Sequence, residues 1–249
     1  MAADRNVLVE VSVDSVASAI AAQNGGATRV ELCSALMEGG LTPSAGVIET
    51  TRAAISIPLF VMIRPRGGDF LYDDYEFTAM RRDIEVARHL RAHGVVFGIL
   101  LANGDVDVHR TRELVDLARP LPVTFHRAFD MTRDMFRALE DVCATGAERL
   151  LTSGGAATVS NGAARIEELI KKAGPRVLVM PGSGIKPHNA RTLVDQTRAR
   201  EIHVGLRSVS PSPMLYRNAG VTMGSIGERE YERFSVREED VRALCAALY

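Results

Sequence analysis

The sequence predicts an α/β chain folded as a TIM (β/α)8 barrel, and three observations carry that reading. Eight short runs rich in Val, Ile and Leu recur along the 249 residues. Between them lie segments with apolar residues three and four apart, the spacing of a helix face. The runs begin at an average interval of about 28 residues, close to the ~30 that one strand-helix unit occupies. Alternating units of this kind give a parallel sheet, and eight of them in a chain of this length favour closure. An open doubly wound sheet would carry a G-x-G-x-x-G turn after its first strand. Here that turn reads Asp14-Ser-Val-Ala-Ser18, so no nucleotide cofactor is expected.

The expected strands start at Leu8, Arg29, Pro58, Gly94, Pro122, Glu148, Arg176 and Glu201. Helical spacing is clearest at Phe77, Met80, Ile84 and Ala87, and again at Phe136, Leu139 and Cys143. Asp14, Thr42 ahead of Pro43, Asp107 and Asp134 are expected helix N-caps, because a short oxygen-bearing side chain satisfies first-turn N–H groups. Gly25, Gly94, Gly146 and Gly174 are expected helix ends. Ser235 and Glu238 make an S-x-x-E capping box before a final helix with Val241, Leu244 and Leu248. The repeats occupy residues 8–204 and leave 205–249 for a loop and that helix, so residues 1–249 are read as a single domain.

Composition narrows the function. With 30 Lys and Arg against 31 Asp and Glu, the net charge of −1 offers nucleic-acid phosphates little general attraction. The longest apolar runs fall short of the ~20 residues of a membrane span. The start of the chain lacks the charged and apolar regions of a signal peptide, which points to the cytoplasm. Three widely spaced cysteines, Cys33, Cys143 and Cys245, give neither a disulfide framework nor a zinc knuckle. Cys143 and Cys245 fall on apolar helix faces, and Met62 and Met180 in apolar strands, so these four are expected in the core.

In a barrel the chemistry sits where strands end and the following loops begin. Those positions are polar here. Strand alternation puts Glu10 with Ser12 and Glu31 with Cys33 on shared faces of neighbouring strands. A carboxylate inside a core strand demands a partner, and Arg64, Arg66 and Arg127 are the expected ones. Asp69, His126 and Asp130 stand in the same loops, and His203 ends the last strand. Glu10, Glu31, His126 and Arg64 are therefore candidate catalytic groups, with Arg66, Asp69, Arg127 and Asp130 contacting a ligand. An ion-pair layer plugging the barrel is the competing reading. Gly and Ser crowd three further loops: Ser153-Gly154, Gly182-Ser183-Gly184, and Gly205 to Ser208. Glycines let backbone N–H groups close on an anion, and barrels often hold phosphate between loops 7 and 8.

Several segments together resemble the CutC family, known as copper homeostasis proteins: Glu10 to Val16, Gly26 to Ser34, Glu38 to Ser44, Val61 to Phe70, Pro122 to Asp130, Leu151 to Gly155 and Met180 to Ile185. The Arg64-Pro-Arg-Gly-Gly-Asp-Phe70 and Phe125-His-Arg-Ala-Phe-Asp130 stretches are the most specific. The resemblance implies a TIM barrel, a cytoplasmic location, a role in copper tolerance or trafficking, and Cu(I) held by strand-end cysteines. By position, the family pattern often has one cysteine where this chain has Ser12 and a second at Cys33. Only Cys33 is left as a metal ligand, and a two-thiolate site cannot form within one subunit. Ser183 stands where the family usually has a third glycine. Two readings result: a copper homeostasis protein binding Cu(I) through Cys33, or an enzyme using a Glu/His/Arg pocket on a small anionic or phosphorylated metabolite. A non-catalytic sensor or assembly partner is a third. A homo-oligomer stays open.

Overall fold

A computed structural model describes residues 7–218, 220–223 and 229–249. Eight parallel strands, β1 (Leu8–Val13), β2 (Arg29–Leu32), β3 (Leu59–Met62), β4 (Gly94–Phe97), β5 (Val123–Phe125), β6 (Arg149–Thr152), β7 (Leu178–Pro181) and β8 (Glu201–Val204), run in the order β7-β6-β5-β4-β3-β2-β1-β8. A parallel bridge from Gly182 to His203 joins the two ends of that order. The TIM-barrel expectation is met. The apolar runs are strands because both faces are covered: Val9, Val11 and Val13 pack outward under the helices, while an inner cluster of Cys33, Phe60, Met62 and Val96 is separate from that core.

The outer ring is α1 (Val16–Asn24), α2 (Ala45–Ala54), α3 (Asp74–His89), α4 (Val108–Ala118), α5 (Met135–Thr145), α6 (Val159–Ala173) and α7 (Pro187–Thr197), with α8 (Glu238–Ala246) closing against α1 and α7. None of the described helices is long and apolar enough to cross a membrane. Asp107 and Asp134 cap α4 and α5 as expected. Elsewhere the caps move. Ser15, not Asp14, accepts from the first turn of α1, and Ser44, not Thr42, caps α2. Thr42 is drawn off because its hydroxyl accepts from the Arg64 N–H at 2.9 Å. Asp73 and Glu76 form an unanticipated capping box on α3.

Gly94 does not end a helix. It opens β4, where an added Cβ would lie 2.5 Å from the Phe60 ring, so the position needs small volume rather than a special φ. The expected Ser235–Glu238 box is absent too. Ser235 lies in a strand, β10 (Glu232–Val236), paired antiparallel with β9 (Arg207–Pro211), and Arg237 takes the cap position of α8. Ladder hydrogen bonds along five residues outweigh one capping contact. The segment after β8 therefore begins with a hairpin where the sequence suggested a loop.

Candidate functional site

The parallel register sets Glu10 of β1 opposite Arg29 on one neighbouring strand and His203 on the other. Both carboxylate oxygens are used: Oε2 accepts from Arg29 Nε, and Oε1 lies 2.7 Å from His203 Nδ1. Arg29 also donates to Glu201 at 2.6 Å, which accepts from Arg149 at 3.0 Å. The Arg29 guanidinium stacks 4.8 Å over Phe60. A buried ladder of alternating charge, Arg149–Glu201–Arg29–Glu10, thus fills the barrel beneath its open end.

Three titratable groups top the ladder. Burial alone would raise the Glu10 pKa, but the His203 hydrogen bond and the charges of Arg29 and His203 hold it down at about 2. Burial and the nearby Glu10 charge push Glu31 up, opposed by His203. His203, with Nε2 3.8 Å from Glu31, is raised: burial disfavours its charge, and the Glu31 and Glu10 carboxylates outweigh that. Glu10 stays ionised, and beside it the raised Glu31 and His203 lie 3.8 Å apart. Both oxygens of Glu10, a group expected to move a proton, are engaged by Arg29 and His203.

Above this layer lies a cavity of about 290 Å³ whose walls include Ser12, Glu31, Arg64, His126, His203 and Arg207. Ser183, Gly184, Arg127 and Phe70 line it from the loops, and Met62 from β3. The expected partnership of Arg64 with the strand carboxylates does not occur. Its guanidinium donates to the carbonyls of Glu38, Gly40 and Gly68 at 2.8–3.2 Å and stacks on Phe70, tying two loops over the cavity. Arg66 and Asp69 leave the site altogether. They pair with each other at 2.9 Å on the surface, where Arg66 also binds Glu76.

Asp130 is an internal anion. It accepts from the Ser153 and Gly155 N–H groups at 3.0 Å, from Thr152 Oγ1 and from Arg127. The Ser153-Gly154 loop is therefore already filled by a carboxylate of its own chain. Gly154 meets Gly162 at backbone contact, and Gly182 is walled by Leu151 and His203, so both are packing positions. The loop-7 turn faces the cavity with Ser183, at φ +101°, and Gly184. Arg207 stands beside them, its Nη1 3.6 Å from Met37 Sδ and its charge acting on the Asp14 carboxyl. Sequence reasoning passed over Arg29, and it noted His203 at a strand end and Arg207 within the Gly205–Ser208 loop without giving either a role of its own. The alternation that put Glu31 and Cys33 on one face also includes Arg29, two positions earlier.

Among the described residues, metal ligation is disfavoured both at the Glu10–Glu31–His203 cluster and at Cys33. Ligand atoms of Glu10, Glu31 and His203 lie within 4.8 Å of one another. Yet Arg29 and His203 take both Glu10 oxygens, and a raised imidazole repels a cation. Cys33 is buried, its Sγ 3.5 Å from Glu31 Oε2, and burial next to that carboxylate raises its thiol pKa well above the ordinary value. Ser12, paired in register with Glu31, donates instead to the Val204 carbonyl at 3.5 Å. A protonated thiol with no second sulfur donor from cysteine does not fit Cu(I). Cys143 and Cys245 lie on α5 and α8, packed against the outer core.

The model of the CutC family matches residues 7–208. A family protein CutC from Chromobacterium violaceum is 51% identical over 97% of this chain and 98% of its own length. A copper homeostasis protein cutC homolog from Homo sapiens is 47% identical over 96% of this chain and 88% of its own. Among solved structures, a copper homeostasis protein CutC from Streptococcus agalactiae superimposes with a TM-score of 0.76 at 31% identity, covering 80% of this chain and 98% of that one. Thiamine phosphate pyrophosphorylase from Pyrococcus furiosus, at 16% identity and a TM-score of 0.57, shares the fold.

Proposed function

The chain belongs to the CutC family, and we propose that it is a cytoplasmic enzyme that binds a small phosphorylated metabolite and moves a proton on it with Glu31 and His203. One observation supports this above the rest. A single cavity of about 290 Å³ holds Glu31 and His203 on its floor, and at its rim Arg207 beside the Ser183–Gly184 turn. Arg207, Ser183 and Gly184 would hold the phosphate, with Arg127 at the same rim. Arg64 keeps the loops in place. His203 is oriented by Glu10, which Arg29 in turn keeps ionised.

Calorimetric titration with inorganic phosphate and simple phosphate monoesters tests the anion subsite. Charge-assisted hydrogen bonds contribute about 1.5–3 kcal/mol, so Arg207→Gln should weaken binding roughly 10- to 100-fold. Equal affinity in the variant, or no binding to the parent, refutes the subsite.

The copper in the names of the mouse and human relatives belongs to those proteins. For this chain, Cu(I) binding through Cys33 is the weaker reading, because the thiol is shielded and already engaged with Glu31. Competition against a Cu(I) chelator under reducing conditions should show no difference between the parent and Cys33→Ser. Tight binding lost only in that variant would restore the copper reading.

A further inference from the structure

Three buried polar atoms on residues that line this cavity lack partners, and they are of both kinds. Glu31 Oε1 is an acceptor, Arg64 Nε is a donor, and the third is His126 Nε2. The tautomer of His126 follows from its surroundings. The Ala128 N–H donates to Nδ1 at 3.2 Å, so in the neutral ring the proton sits on Nε2, which becomes a donor with nothing to donate to. The ring is held in that orientation. Phe70 packs 4.9 Å away, Phe125 edges it at 6.2 Å, and Gly98 lies so close that a Cβ there would sit 2.8 Å from Nδ1. Burial, aided by the Arg64 charge, drives its pKa down to about 3, so it cannot serve as a proton shuttle near neutrality.

A neutral imidazole N–H suits one task well: donating to an oxygen on which negative charge develops. We propose that His126 Nε2–H polarises a substrate carbonyl while Glu31 removes the proton from the adjacent carbon, which makes the reaction an enolisation of a small phosphorylated hydroxycarbonyl compound. This rests on the phosphorylated-metabolite reading above and names its substrate class. In the step, the C–H bond breaks and its proton passes to the Glu31 carboxylate. The released pair forms the C=C bond, and the carbonyl π pair moves to the oxygen held by His126. Return of the proton from Glu31 to carbon reverses the step, and no oxidant, reductant or co-reactant is needed. Exchange of that proton with water while it resides on Glu31 leaves solvent hydrogen on the substrate.

The test has two parts on the intact protein. Nitrogen-15 NMR of labelled histidines from pH 5 to 9 should show His126 protonated on Nε2, bare on Nδ1 and not titrating. Titration in that range, or a proton on Nδ1, overturns the proposal whatever any variant does. Next, dihydroxyacetone phosphate and ribulose 5-phosphate are incubated with the protein in D2O, and deuterium beside the carbonyl is read by proton NMR. The parent should exchange at least 100-fold faster than buffer. Glu31→Gln should abolish exchange, and His126→Gln should lower the rate constant 100-fold or more with KM within threefold. Exchange of neither probe overturns the proposal. Arg207-dependent binding of inorganic phosphate, measured in parallel, then tells whether the broader phosphate reading stands without it.

Discussion

Replacing Glu10 by Gln removes one charge from the buried ladder while nearly keeping its shape, and the structure sets both the size and the pH dependence of the effect. Glu10 is held at about 2 against an ordinary 4.5, a gap of about 2.5 pH units. At 1.36 kcal/mol per unit this corresponds to roughly 3 kcal/mol. A depressed carboxyl contributes stability that is present above its unfolded pKa and lost as pH falls through the folded one. The advantage of the parent should therefore hold down to about pH 4.5 and shrink to about 2 kcal/mol by pH 3.5. His203 runs the other way. Its raised pKa contributes stability that is full below its ordinary 6.5 and lost as pH rises through the folded value. Since Glu10 is one cause of that elevation, the gap between parent and Glu10→Gln should be widest between about pH 4.5 and 6.5 and fall on both sides. Urea unfolding at matched m-values across pH 3.5 to 9 measures it. A gap below about 1 kcal/mol at pH 5.5, or one that does not change with pH, would refute the assigned charge states.

Three further outcomes follow from particular contacts. Gly94→Ala places a Cβ 2.5 Å from the Phe60 ring and should destabilise by about 1–3 kcal/mol in urea melts, with Phe60→Leu restoring part of the loss; additive effects would refute the contact. Arg66→Ala should cost less than about 1 kcal/mol and leave phosphate affinity unchanged by calorimetry, because its ion pairs are on the surface outside the cavity. Cys33 should resist iodoacetamide at pH 7.5 in the folded protein and react on unfolding, and mass spectrometry showing rapid native labelling would contradict its buried, protonated state.

The barrel was legible because its signal is repeated. Each apolar run is covered on both sides, so composition alone marks it, and an error at one end costs only a residue or two. Caps were less legible because a Ser or Thr near a helix start has competing partners. Thr42 is held by the Arg64 N–H and Ser235 by the β9–β10 ladder, and neither competitor is near in sequence. The site was half legible for the same reason. Glu10 and Glu31 were recognisable as carboxylates in need of partners. The partners expected, Arg64, Arg66 and Arg127, were the arginines nearest the strand ends. Those selected, Arg29 and His203, are set by inter-strand register, which strand spacing does not specify.

Register also relates the ion-pair plug to the cavity, because the barrel stacks the cavity on the plug. Arg149, Glu201 and Arg29 make the lower layer, and a lone Glu10 at its top would be a buried carboxylate with a large desolvation cost. Arg29 removes most of that cost from one oxygen. The second oxygen is left to hold His203, which brings positive charge to Glu31, a carboxylate whose Oε1 has no partner. The ladder thereby leaves an unmet hydrogen-bonding demand at the cavity floor, and His126 presents another, of opposite polarity, in its wall. A protein selected only for stability would be expected to satisfy both with its own atoms or to replace them with apolar side chains. Two complementary unsatisfied groups in one small cavity are better explained by a molecule that enters and satisfies them.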